Sequence, residues 1–203
     1  MRQPLFSVDR HVRLVADTSV IINLNATGLG PQVLRTLNLV LHASTVVRNE
    51  LIVDRNNGRH DSDLAVDLVA GGQLEFHEFD EQGDDLFEAL VTGSAEATLD
   101  DGEAATLALA MSSGLPAAID ERKANRIAAE RFPEIRLLST ADLLSSEMLV
   151  TSLGVDAVAT AVFAALRDAR MAVPESHHPW VADLLGSRVS ECRSLPASLR
   201  RRL

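Results

Sequence analysis

Apolar residues fall in two alternating patterns along this chain: short, nearly unbroken runs, and longer stretches in which they recur every three or four positions. The first pattern suits buried strands and the second suits helices packed on them. The runs VRLVA at 12–16, NLVLHA at 38–43, QLEFHEF at 73–79, LPAAID at 115–120 and EIRLL at 134–138 predict strands. Between them, helices are predicted at 19–27, at 31–37 with Pro31 in the first turn, and through STVVRNELIVDR from a cap at Ser44 or Thr45. The turn-rich RNNGRH follows, then helices at 61–70 (stopped by Gly71 and Gly72), DDLFEALVTG, GEAATLALAMSS behind Asp100 or Asp101, RKANRIAAERF, and ADLLSSEMLV behind Ser139 or Thr140. Strands joined by helical crossovers form a parallel sheet covered on both faces, so the expected class is α/β with three layers, α/β/α. From about 151 the pattern is helical only, ending in the basic tail SLRRRL. We therefore expect a sheet domain over 1–150 and, over 151–203, a helical extension packed on it.

A chain of 203 residues, 46% hydrophobic and without a Pro/Gly/Ser-rich linker, suits one domain with a real core. Its longest apolar run, AVATAVFAAL at 157–166, falls short of the roughly 18 to 20 residues a membrane span needs. Arg2, Asp9, Arg10 and Arg13 break up the N-terminus, which reads as carrying no secretory signal. Cys192 is the single cysteine, so no intramolecular disulfide is possible and a cytoplasmic location is expected. The net charge of −10 opposes capture of nucleic acid by the whole surface. Local arginines (Arg48, Arg55 and Arg59; Arg122, Arg126, Arg131 and Arg136) are open to two readings, as phosphate contacts or as solvated partners of nearby acids. His177 and His178 are adjacent, so their side chains diverge; they read as surface residues rather than a metal pair, and Trp180 as a lid over the core.

Acids recur at element boundaries. Asp17 and Asp120 end strands, Glu103 opens a helix, and Glu50 lies within a helix that follows a strand. Each has an ordinary reading too: Asp17 as a helix N-cap, Glu103 as a favourable charge at a helix N-terminus. Together they suggest more, because ligands of open α/β sheets bind beyond the strand ends. Two unit charges about 4 Å apart repel by about 4 kcal/mol at an effective dielectric near 20. A divalent cation removes that conflict, and all-oxygen donors suit Mg²⁺ or Mn²⁺. The matching chemistry is phosphodiester hydrolysis.

The segments VADTSVIINL, NEL with Glu50, LDDGEAATLALA and AAID with Glu121, in that order over residues 12–150, resemble the PIN-domain nucleases, in particular a branch with an LDxGEA motif. That resemblance implies an α/β/α domain binding Mg²⁺ or Mn²⁺ on four acids and cutting RNA. Asp17, Glu50, Glu103 and Asp120 match the four acids, with Thr18 and Ser19 in support and Asp101 and Glu121 further out. It also implies that many relatives are toxins restrained by a small antitoxin and often dimeric. The extension beyond 150 departs from the compact toxins, and the match at Glu50 rests on a dipeptide and its spacing. A dehalogenase-like phosphatase is set aside, because it needs a second Asp where Ser19 stands. The competing class is a PIN-like binding module, without catalysis, in a protein or RNA complex.

Overall fold

The computed structural model describes residues 11–54 and 60–201. Most of the RNNGRH turn, residues 1–10 and the last two residues of the basic tail lie outside them. Five parallel strands, β1 (Val12–Ala16), β2 (Leu39–Ser44), β3 (Leu74–His77), β4 (Ala117–Ala118) and β5 (Leu137–Leu138), lie in the order β3-β2-β1-β4-β5. Every pairing is parallel. The chain therefore winds outward from β1 through β2 to β3, then returns to the other side of β1 as β4. Between β1 and β4 the winding reverses, which opens a crevice beyond their C-terminal ends.

Side chains alternate across the sheet and select two covering layers. On one face Leu14, Ala16, Leu41, Ala43 and Leu74 pack with α1 (Thr18–Ala26), α2 (Gly30–Thr36), α3 (Thr45–Asp54) and α4 (Asp61–Ala70). The same core continues through α8 (Thr140–Leu144), α9 (Glu147–Leu153), α10 (Val155–Asp168) and α11 (His178–Leu185) to Leu195, just ahead of α12 (Ala197–Arg200). On the other face Val15, Ala117 and Ile119 meet α5 (Glu81–Val91), α6 (Asp101–Ser113) and α7 (Arg122–Arg131). This is the expected three-layer α/β/α arrangement. Helix α6 is buried without interruption from Gly102 to Ala110, which explains why its alanine-rich sequence has no polar stripe.

Several boundaries differ from the sequence reading. The segment 140–153 is two helices: α8 ends at Leu144, and α9 begins at Glu147 behind Ser146, which holds the N-cap position in extended conformation. Helix α5 starts at Glu81, ahead of the predicted DDLFEALVTG helix, because the Asp80 side chain accepts the Gly83 amide and caps it. Strands β4 and β5 hold only two residues each. Among the described residues no single helix is long and apolar enough to cross a membrane; α9 and α10 pass that test only as a pair, bent by 117°.

His177 is not a plain surface residue. Its Nε2 lies 2.9 Å from Asp142 Oδ1, its ring meets Trp180 edge-on, and its side chain is 17% exposed. His178 Nε2 lies 3.2 Å from the Val173 carbonyl. The pair diverges as adjacent side chains must, but each ring is half-buried against its own partner.

Candidate acidic metal and nucleic-acid site

Asp17 directly follows β1, and its amide still donates to the Ala118 carbonyl at 3.1 Å, so the ladder with β4 holds the residue in place. It is also the N-cap of α1: the Ser19 amide (3.2 Å) and hydroxyl (2.6 Å) both donate to its Oδ2. The capping and crevice readings of Asp17 thus describe one residue doing both. Although these bonds favour the carboxylate, burial outweighs them and raises its pKa, with Asp100 adding to the rise.

Across the crevice Asp120 follows Ile119 at the end of β4. Its Oδ1 accepts the Thr140 amide at 2.7 Å, and its Oδ2 accepts Asn23 Nδ2 at 2.7 Å and the Thr140 hydroxyl at 2.5 Å. Three of about four lone-pair directions are therefore occupied by protein. Burial still raises its pKa, and Asp17 contributes to that rise. Asn23 and Thr140 were not singled out in the sequence. They lie 97 and 20 positions from their partner, and Thr140 was read only as a possible helix cap, a role that Ser139 fills.

The other two acids come from helices. Glu103, in the first turn of α6, accepts the Asp100 amide at 3.4 Å and faces Asp17, Glu121 and Asp100. Burial first, and then those neighbours, push its pKa up to about 7. Glu50, in the middle of α3, accepts the Thr18 hydroxyl and faces the Gly102 amide. Burial, Asp17 and Asp101 raise its pKa. Gly102 is part of this arrangement, since a Cβ there would collide with the Glu50 carboxylate. The glycine of the LDDGEA segment thus makes room for the Glu50 carboxylate, a function its sequence position did not reveal.

Asp17, Ser19, Asn23, Glu103, Asp120 and Glu121 line one pocket; Glu50 is not among its lining residues and is linked to it by the charge of Asp17, which it feels. Asp101 is exposed beside Glu50, and Glu121 caps α7 while facing Glu103. Among the described residues, the group of three or more His, Cys, Asp or Glu whose ligand atoms draw within 4.8 Å of one another is His42, Glu75 and His77, not the pocket acids. The pocket acids are spaced more widely, a separation that suits an ion keeping several of its waters.

Two arginines complete the lining. Arg122 opens α7, and Arg170 follows α10 with φ of 57°. That left-handed conformation at a helix end is one that glycine ordinarily fills. The Met171 amide reaches back to the Ala165 carbonyl at 3.1 Å, closing the turn that presents Arg170 to the pocket. From Asp120 and Arg122 a second cleft runs on past Ser139, Asp142, Glu175 and His178.

Three comparisons bear on these features. No curated protein matches the chain. Among solved structures, the crystal structure of VapBC2 from Rickettsia felis bound to a DNA fragment from their promoter is similar at 14% identity and a TM-score of 0.46, covering 63% of this chain and 98% of that one. A profile of the DUF3368 family, described as PIN domain, matches residues 13–177. With most of its length matched, and with its strands wound as expected, this chain belongs to the PIN-domain family.

Proposed function

We propose that the chain is a divalent-metal-dependent endoribonuclease and that Asp17, Glu50, Glu103 and Asp120 hold Mg²⁺ or Mn²⁺. The observation that carries this reading is electrostatic. Burial first, and then neighbouring acids, raise the pKa of all four carboxyls, and Asp17 acts on each of the other three. Such a set is costly when ionised and empty, and a hard dication is the group that fits its oxygen donors.

When bound, the cation would activate a water and offset charge on the phosphodiester and its leaving oxygen. The chain's own residues do the rest. Ser19 fixes one oxygen of Asp17, leaving the carboxylate turned into the crevice. Thr140 and Asn23 immobilise Asp120, whose remaining lone pair suits contact through a water. Thr18 and Gly102 aim Glu50. Arg122 and Arg170 supply the positive charge that a phosphate backbone needs on an otherwise acidic chain. Glu103 holds a proton below about pH 7, so proton and cation compete there.

The test is cleavage of a mixed RNA pool by purified chain with Mg²⁺, Mn²⁺ or chelator, alongside the same pool as DNA. Metal-dependent RNA cleavage that disappears in Asp17→Asn supports the proposal. Equal activity in the two proteins, or binding of RNA without cleavage, would instead favour a non-catalytic PIN-like module. As in the toxins its motifs resemble, we further propose restraint by a small antitoxin protein. Suppression of cleavage on co-expression with the product of a neighbouring small reading frame checks that part.

A further inference from the structure

A second cluster lies on the other half of the sheet. His42 on β2 pairs in register with Glu75 on β3, and His77 follows Glu75 by two positions, so all three side chains share the face that carries Val15. His42 Nδ1 is 2.7 Å from His77 Nε2, and Glu75 Oε2 is 3.8 Å from the first and 3.7 Å from the second. A single point therefore lies about 2.0 Å from all three atoms, which is the length of Zn²⁺ bonds to imidazole nitrogen and carboxylate oxygen. We propose that His42, Glu75 and His77 form a site for a borderline transition dication, Zn²⁺ foremost, that is separate from the acid pocket and clamps edge strand β3 to β2.

The donor set selects the ion. Two imidazoles and one carboxylate suit Zn²⁺ far better than Mg²⁺, which keeps to oxygen ligands. Glu75 is more than half exposed, so the fourth coordination position opens to water. The two rings stack with centroids 4.8 Å apart, and their facing nitrogens lie within hydrogen-bond distance. His42 Nε2 is buried with no hydrogen-bond partner among the described residues. Lacking that outer bond, the site should bind its ion about 10- to 100-fold more weakly than sites that have it.

Zn²⁺ titrated calorimetrically into the full chain at pH 7 tests this, with Co²⁺ absorption reporting geometry and the melting temperature reporting the clamp. The paired variant Asp17→Asn/Asp120→Asn should still bind one Zn²⁺ and melt higher with it. His77→Ala should lose both the binding and the melting shift. Glu75→Gln, on an exposed side chain, gives the same reading if His77→Ala fails to fold. Zn²⁺ binding unchanged in these cluster variants, binding lost in the pocket pair, or no binding by the wild type would overturn the site.

Discussion

The four acids proposed as metal ligands divide into two kinds. Asp17 and Asp120 stand at the ends of adjacent strands, buried and held by hydrogen bonds from Ser19, Thr140 and Asn23. Glu50 and Glu103 ride on helices, with one side-chain hydrogen-bond donor or one long amide bond each. The sheet fixes the first pair, so their geometry persists without a ligand. The second pair depends on how α3 meets α6, and their ionisation responds to what occupies the pocket. In the proposed function the strand acids therefore build the site, and the helix acids tune it.

The largest expected effect falls on a strand acid. Asp17→Asn keeps an acceptor for the helix cap but removes the charge, so cleavage should drop by more than the roughly 100-fold typical of losing a supporting residue. The metal-free variant should nevertheless melt higher than wild type, because the cost of an ionised buried acid is relieved. A lower melting temperature would show that Asp17 serves mainly as a cap. Next, Thr140→Val removes one donor from a buried carboxylate and should lower stability in urea by about 1.5 to 3 kcal/mol. A neutral result would break the claim that Asp120 is held by the protein.

Among the helix acids, Gly102→Ala forces the Glu50 carboxylate away from Thr18 while giving α6 a better helix former. Stability should hold or rise by up to about 1 kcal/mol, as cleavage falls about 10-fold or more. Full activity would remove Glu50 from the site. Glu103 sharpens the contrast through pH. With its folded pKa raised from 4.5 to about 7, the folded chain binds the extra proton between those values. Metal-free stability should therefore fall as pH rises across that window and level off above it, and Glu103→Gln should flatten the slope. The smallest effect is at Arg170: Arg170→Gly relieves a left-handed backbone and should stabilise by about 1 kcal/mol while weakening RNA binding.

Much of the fold was legible because local rules agreed. Apolar runs marked all five strands, and Asp17 and Glu103 stood where strand ends and helix starts could be read. What escaped was set by contacts between distant segments. Nothing local to Asn23 or Thr140 announces a bond to Asp120, and the role of Gly102 depends on a side chain from another helix. The break near Ser146 was hidden because the apolar spacing of 143–149 runs straight across it. Arg170 escaped for a different reason, since arginine seldom takes a glycine conformation.

The claim under all of this is that four carboxyls share one cation, and Mn²⁺ binding to the purified chain tests it most directly. Calorimetry on the wild type, Asp17→Asn, Glu50→Gln, Glu103→Gln and Asp120→Asn at pH 7.5 should show Mn²⁺ binding weakened in each variant, most in Asp17→Asn. Undiminished Mn²⁺ affinity across the four variants would contradict the account.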